Sequence, residues 1–282
     1  MNQWPRLNFI VEGQTEETFV NRMIRHHLAT YSINVNVRCV TTGRKRGRVF
    51  RGGMPNYLKI KNDINGWLSE DNKAYLTTFF DFYGLTNDFP GYQQALLKKT
   101  IAQKLSCLQD SFYQDIDNIR LIPYIQFYEF EALLYSNPSI LDETMQIYSF
   151  KSKLNQLNEI SNAYTSPEQI NNNPNTAPSK RLLNLYDGYE KITHGCDAAE
   201  LIGLSSMRQK CDLFNQWLNT LEALSPSNMS ENRLLTIPHP KRNLHYTGFR
   251  YDKKFNSSKE HRLSKISPSK GKVSEINLSS EH

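Results

Sequence analysis

The stretch LNFIVEGQTEETFVNRMIRHHLA, residues 7–29, decides the fold. Residues 7–11 form a short apolar run without charge, which is typical of a strand buried on both faces of a parallel sheet. Glu12 and Gly13 end the run. From Thr15 onward, apolar residues recur at helical spacing, and Thr15 itself is a candidate N-cap. The order strand, tight turn and helix predicts the first unit of an α/β fold.

The same alternation continues along the chain. The sequence predicts further strands at residues 33–40, 74–80 and 119–127, and helices at about residues 55–68 and 91–108. A basic, glycine-rich loop is predicted at residues 42–53. Strands that alternate with helices imply a mainly parallel sheet with right-handed crossovers. We therefore expect a Rossmann-like α/β sheet of about four strands that is flanked by helices.

Strand signals stop after Tyr135. Helices are predicted at residues 180–193 and 205–224, and the polar segment 161–177 is predicted to be a loop. His194-Gly195 has the pattern of a helix stop. The expected organisation is an α/β core at residues 5–136, a helical extension at 137–224 that packs on it, and a basic, low-order tail at 225–282. No internal repeat is found.

The composition is that of a polar globular protein, with 38% hydrophobic and 22% charged residues. The net charge of +6 comes entirely from residues 241–282, which contain ten Lys or Arg and four Asp or Glu. Basicity is therefore weak evidence that the folded part binds nucleic acid. The four cysteines are widely spaced and the N-terminus does not have the pattern of a signal peptide, which predicts a protein of the cytoplasm with reduced thiols. No apolar run is long enough to cross a bilayer, so no membrane contact is expected.

Acidic residues follow three of the predicted strands. Glu12 ends the first, Asp81 the third, and Glu129 and Glu131 follow the fourth. Because ligand sites in open α/β sheets lie at the carboxyl ends of strands, these acids are expected at one edge. A hard cation such as Mg²⁺ would neutralise their repulsion. Each acid could instead be a lone surface group.

Two further acids are ambiguous. Glu16 lies one helical turn after Glu12 and either faces the same site or complements the helix dipole. Asp88 follows Asn87 and precedes a proline closely, which is ordinary turn chemistry.

Several motifs carry a family resemblance: FIVEGQTEETFV at residues 9–20, TTFFDFYGL at 77–85, IQFYEFEALLY at 125–135 and APSKRLLNLY at 177–186, with HG and IGL further on. Together they resemble the Toprim-like proteins of domain-of-unknown-function family 4276, over most of residues 7–221. The first two motifs resemble the wider Toprim superfamily, which includes topoisomerases, primases and the nuclease halves of overcoming-lysogenization-defect proteins.

This resemblance implies a Toprim-like fold and Mg²⁺- or Mn²⁺-dependent phosphodiester chemistry. It maps a general acid or base onto Glu12 and metal ligation onto Asp81. By their positions, Glu12, Glu16, Glu129 and Glu131 are the other candidate metal ligands. Toprim domains commonly have Asp-x-Asp at the strand end, where this chain has Asp81-Phe82-Tyr83. That departure puts a full second metal in doubt unless Asp88, Glu129 or Glu131 supplies the missing ligand. The PSKR segment is implied to face the acids, with Lys180 as a candidate catalytic residue and Arg181 as a phosphate contact. The alternative is that both are ordinary exposed helix residues.

A dense basic run provides the other candidate nucleic-acid contacts. Its members lie within eight residues without an acid between them: Arg44, Lys45, Arg46, Arg48 and Arg51. Such a run suits contacts to a phosphate backbone, although it could equally be a solvated loop. His194 is a weaker catalytic candidate, and His26 and His27 lack a partner at metal-ligand spacing. No P-loop, nucleophile elbow or cysteine cluster is present.

The sequence therefore predicts a Mg²⁺-dependent nuclease that acts on DNA or RNA, transfer RNA included. The resemblance further implies an effector of bacterial anti-phage defence with an ABC- or AAA-type ATPase partner. The alternative is a non-catalytic Toprim-like module that binds nucleic acid or regulates such an ATPase. Primase or topoisomerase activity is disfavoured because neither a zinc ribbon nor a strand-passage domain is evident.

Overall fold

The computed structural model describes residues 4–45, 48–171 and 174–227, without the side chains of residues 44–51 and 174. The predicted low-order tail therefore lies, from residue 228 onward, outside the described residues.

A parallel sheet forms the centre of the protein. Its strands are β1 Arg6–Val11, β2 Asn34–Cys39, β5 Tyr75–Asp81, β6 Leu121–Ile122 and β7 Ile125–Gln126. The order is β2-β1-β5-β6, and β7 also pairs with β5. Every one of these pairings is parallel. The expected α/β fold with a mainly parallel sheet is confirmed, and the sheet has five strands within the described residues.

Helices cover both faces of the sheet. They are α1 Gln14–Phe19, α2 Arg25–Ala29, α3 Tyr57–Glu70, α4 Tyr92–Leu96, α5 Ile101–Ile116, α6 Pro138–Ile147, α7 Leu154–Asn162, α8 Pro178–Leu185, α9 Cys196–Lys210 and α10 Asp212–Glu222. A π-helical segment, Val20–Ile24, joins α1 to α2. Since alternate strand residues point to opposite faces, Leu7 and Phe9 join one apolar core with α1, α2 and α6 to α10. Ile10 and Phe80 join a second core with α3 to α5.

The last strand differs from the single strand that residues 119–127 predict. Pro123 lacks a backbone N–H and interrupts the ladder between β6 and β7. Two threonine side chains of β5 bridge the gap. Thr77 donates to the carbonyl of Ile122 at 2.7 Å, and Thr78 bonds both the carbonyl and the amide of Tyr124 at 2.8 and 2.9 Å. The chain therefore continues along β5 and carries the following acids to the same edge.

The segment predicted as a basic loop is an antiparallel hairpin of β3 Thr41–Lys45 and β4 Arg48–Arg51. Its two strands pair with each other and not with the main sheet. The alternation of strands and helices, which predicts the strands of the main sheet, therefore did not predict these two. The helix predicted at residues 91–108 is two helices. Thr100 and Gln103 form a capping box that starts α5, with hydrogen bonds of 3.2 and 3.4 Å.

The later helix boundaries also differ from the predictions. α8 ends at Leu185, and it begins at Pro178 after the N-cap Ala177, two residues before the predicted start at residue 180. His194-Gly195 does not end a helix, because residues Lys191–Gly195 form a π-helical turn that runs into α9. The helix predicted at residues 205–224 is divided at Cys211, where the backbone is extended.

Trp217 of α10 attaches the C-terminal helices to the sheet. Its indole N–H donates to Thr77 at 2.9 Å, and its ring stacks on Tyr124 with centroids 4.2 Å apart. Both partners are buried, so the contact combines a large apolar area with a satisfied donor. Among the helices of the described residues, none has the length and apolar character that a membrane crossing requires.

Candidate active site

Strand register brings the predicted acids to one edge of the sheet. Val11 of β1 pairs with Phe79 of β5, and the amide of Glu12 donates to the carbonyl of Phe79 at 3.3 Å. Asp81 ends β5 and pairs with Gln126 of β7, three residues before Glu129. The carboxyl ends of three adjacent strands thus present acids to the same space. We call Glu12, Glu16, Asp81, Glu129 and Glu131 the acidic cluster.

Glu16 belongs to the cluster and also starts the first helix. Its carboxylate accepts a hydrogen bond from the amide of Gly13 at 2.9 Å, so Gly13 is the N-cap and Thr15 is not. Glu16 is only 6% exposed. Burial, and then the charge of Glu12, raise the pKa of Glu16 to about 7. Glu16 thus caps the start of α1, and its part in a metal site stays a prediction.

Glu12 is held against the turn that follows β5. A Cβ atom on Gly84 would lie 2.1 Å from Glu12 Oε2, so only glycine leaves room for this carboxylate. The backbone of Asp81 hydrogen-bonds Glu12 and lowers its pKa, but burial outweighs that effect and the pKa is raised. The two neighbouring strand ends thereby fix the position of the Glu12 side chain.

Asp81 and Glu131 are also buried, at 8% and 0% exposure. Burial, reinforced by the charges of Glu16 and Glu12, raises the pKa of Asp81 well above its ordinary value. Burial also raises the pKa of Glu131 to about 7. Buried carboxylates that repel one another favour the uptake of a proton or a cation.

Lys191 contributes a positive charge to the site. Its ammonium lies 3.0 Å from Oε1 of Glu131 and donates to Oε2 at 3.2 Å. Burial acts to lower the pKa of Lys191, but Glu131, and then Glu129 and Asp81, raise it above its ordinary value. Lys191 therefore stays charged and partly neutralises the acidic cluster.

Glu129 lies nearer the surface and links the cluster to α8. Its Oε2 accepts a hydrogen bond from the amide of Ser179 at 2.9 Å, at the N-terminus of that helix. Lys180 is exposed on α8 and makes no hydrogen bond to the acidic cluster. Arg181 donates to the carbonyl of Thr176 at 2.8 Å and to the hydroxyl of Tyr164 at 3.2 Å. The PSKR segment thus reaches the cluster through its backbone.

The donor chemistry of the acidic cluster fits a hard divalent cation. Glu12 Oε2 and Asp81 Oδ1 are buried oxygens without a hydrogen-bond partner, and carboxylate oxygens are the ligands that Mg²⁺ prefers. Within the described residues, however, no three His, Cys, Asp or Glu side chains are arranged to hold one ion. The carboxylates would have to rotate to converge on a metal.

Other residues that the sequence singled out as candidates make structural contacts instead. Asp88 accepts from the amide of Tyr57 at 2.9 Å, at the start of α3. His194 accepts from the amide of Glu190 at 2.9 Å, and its ring packs on Tyr148. His27 bonds Glu222 at 2.6 Å. Of the basic run, Arg46 and the side chains of Arg44, Lys45, Arg48 and Arg51 lie outside the described residues.

Sequence reasoning missed Lys191 and Gly84. Lys191 stands in a helical stretch without a motif, and only the packing of that stretch against Glu131 reveals it. Gly84 had a usable signal, because it lies three residues after Asp81 in the turn that follows a strand. Glycine there often marks a close approach of another group to the backbone.

Comparison with known proteins gives one family. The family model described as "Domain of unknown function (DUF4276)" matches residues 11–222. Among solved structures, the chain is similar to the C-terminal region of the Burkholderia pseudomallei OLD protein, at 15% identity and a TM-score of 0.42, over 77% of this chain and 98% of that one. The comparison with curated proteins found no match.

Proposed function

The chain belongs to the DUF4276 family, and we propose that it is a metal-dependent nuclease that hydrolyses nucleic-acid phosphodiester bonds at the acidic cluster. The observation that carries the proposal is the convergence of Glu12, Asp81 and Glu131 at the carboxyl edge of a parallel sheet. Oε2 of Glu12 and Oδ1 of Asp81 are buried without a hydrogen-bond partner. Such an arrangement is costly for folding and is typical of a functional site.

The residues of the cluster have separable roles in this proposal. Asp81 and Glu131, with Glu16 and Glu129 as further candidates, provide oxygen ligands for Mg²⁺ or Mn²⁺. The chemistry that such a cation supplies is activation of water and stabilisation of charge on the leaving oxygen. Glu12 is the proposed general acid or base, the role that the Toprim resemblance implies, and burial raises its pKa above the ordinary value.

Lys191 has a positioning role. Its ammonium holds Glu131 in a fixed orientation and offsets part of the repulsion among the acids. It also reduces the negative potential that an incoming phosphate meets. Because a lysine retains three donors, it can keep Glu131 as a partner while it contacts a phosphate oxygen.

The substrate is proposed as DNA or RNA, transfer RNA included. Basic residues of the β3–β4 hairpin, together with Lys180 and Arg181, are the proposed phosphate contacts. A role in anti-phage defence and an ABC- or AAA-type ATPase partner rest on the sequence resemblance alone.

A specific observation favours a second function. Lys191 already provides a counter-charge inside the cluster, and the carboxylates of the described residues are not preset around a common ion. A non-catalytic module that binds nucleic acid or regulates an ATPase would retain such a site without cleavage.

Cleavage by the purified chain separates the two functions. Labelled single- and double-stranded DNA, RNA and transfer RNA are incubated with Mg²⁺, Mn²⁺ or EDTA, with and without an ATPase encoded nearby. Nuclease function predicts metal-dependent products that Glu12→Gln and Asp81→Asn each reduce by about 10²-fold or more. The matched control is Glu143→Gln, an exposed acid on α6. Cleavage that both site variants retain in full would show that the cluster is not the active site.

A further inference from the structure

Two tyrosines flank the acidic cluster and leave their rings partly accessible. Tyr83 lies two residues after Asp81, in the 3-10 turn Phe82–Gly84, and is 37% exposed. Tyr128 directly precedes Glu129 and is half-buried. Their ring centroids are 5.3 Å apart with an angle of 42° between the planes. The two rings therefore form one aromatic surface, the tyrosine pair, on residues that lie within two positions of Asp81 and Glu129 along the chain.

Buried aromatic rings pack against the tyrosine pair and hold it in place. Phe82 and Phe127 stack on each other with centroids 4.9 Å apart, and Phe127 lies 4.2 Å from Tyr128. From the backbone side, the amide of Tyr83 donates to the carbonyl of Tyr128 at 3.2 Å. The side-chain amide of Asn171 donates to the Tyr83 hydroxyl. Because these rings are already held in place, a ligand that stacks on them costs little conformational entropy, which favours binding.

The backbone of Tyr128 adopts a conformation that side chains other than glycine rarely take. Its φ is +66°, in the left-handed region, where a bulky residue is strained. With this backbone conformation two residues after β7, the Tyr128 ring packs against Tyr83, and the next residue, Glu129, accepts a hydrogen bond from Ser179.

Tyr83 also occupies an informative position in the sequence. In the Asp-x-Asp pattern of Toprim strand ends, it stands where the second acid would be. The chain thus places a flat, weakly polar ring within two residues of Asp81. Aromatic rings beside a phosphodiester site are suited to the π-face of an unstacked base, which a duplex does not offer.

We infer that the tyrosine pair binds a nucleobase next to the bond that is cleaved, so that single-stranded nucleic acid is the preferred substrate. This inference rests on the proposed nuclease function, whose substrate class it specifies. Stacking on a tyrosine is tolerant of base identity, so little sequence preference is expected.

Binding of matched oligonucleotides tests the inference without cleavage. Fluorescence anisotropy is recorded in Ca²⁺ with a labelled oligothymidine, an abasic strand of the same length and a duplex, and gels verify that the strands stay intact. The variants are Tyr83→Ala, Tyr128→Ala and Tyr83→Phe. The matched control is Trp4→Ala, which removes a ring that is 44% exposed just before β1, at the opposite ends of the strands. Thermal unfolding monitors the fold of each variant.

The expected result is base-dependent binding that the tyrosine pair provides. Wild type, Tyr83→Phe and Trp4→Ala bind oligothymidine about tenfold more tightly than the abasic strand. Tyr83→Ala and Tyr128→Ala each lose that difference, while their affinity for the abasic strand is unchanged. The inference is overturned if wild type binds the thymidine and abasic strands equally, prefers the duplex, or binds none of them. It is also overturned if folded Tyr83→Ala retains the base preference.

The result is separable from that of the cleavage test. Loss of base preference in Tyr83→Ala supports the tyrosine pair even if no strand is cut in Mg²⁺, in which case the nuclease proposal fails alone. Cleavage without any base preference would overturn the inference and leave the nuclease proposal standing.

Discussion

Replacement of Gly84 by alanine should disable the site while the fold persists. The new Cβ would lie 2.1 Å from Oε2 and 2.7 Å from Cδ of Glu12. Ordinary van der Waals contact begins near 3.4 Å, so the Glu12 carboxylate must move by about 1.3 Å. Gly84 is not among the glycines with positive φ, and the substitution therefore acts through this clash alone.

A displacement of about 1 Å at a catalytic group costs on the order of 10²-fold in rate. We expect Gly84→Ala to reduce Mg²⁺-dependent cleavage by about that factor, and to lower the free energy of unfolding by about 1–3 kcal/mol because the site is overpacked. Initial rates on a labelled strand and urea denaturation measure the two effects.

The control is Gly66→Ala, in the interior of α3, where an added Cβ meets nothing within 4 Å. It should retain full activity and gain up to about 1 kcal/mol of stability, since alanine favours helix. A folded Gly84→Ala protein that cleaves at the wild-type rate would refute the role given to the position of Glu12.

Three other predictions concern charge in the cluster. In EDTA, Glu131→Gln should be the more stable protein above pH 7 by about 3 kcal/mol, because the pKa of Glu131 is about 7 when folded and ordinarily 4.5. The advantage should shrink as pH falls and vanish below about pH 4.5, where both proteins carry a neutral group; a pH-independent difference in urea unfolding would contradict this. Lys191→Met should lower the free energy of unfolding by about 1 kcal/mol at pH 8 and by less at pH 5, where Glu131 holds a proton. If instead the loss is equal at both values of pH, Lys191 does not act through the charge of Glu131. Mg²⁺ at ten times its dissociation constant should raise the melting temperature of wild type by about 3 °C. Asp81→Asn should lose most of that rise in calorimetry, and an equal rise would place the metal elsewhere.

The sequence by itself determined the architecture and much of the acidic cluster. The apolar run at residues 7–11 has one stable environment, the centre of a parallel sheet, and the acids that directly follow β1 and β5 must lie at its carboxyl edge. Glu12 and Asp81 were therefore predictable from position along the chain. Interrupted patterns were less informative. Pro123 divided a predicted strand, and the β3–β4 hairpin pairs only with itself.

The tertiary structure alone decided the environment of the acids. Lys191 lies 60 residues along the chain from Glu131, and no sequence motif links the two residues. Burial and neighbouring charge, which raise the pKa of Glu16 and Glu131 to about 7, arise only when α1, β5 and the turn before α9 pack together. Local sequence sets which backbone conformation is favoured, whereas solvent exclusion and electrostatic coupling depend on contacts between distant segments.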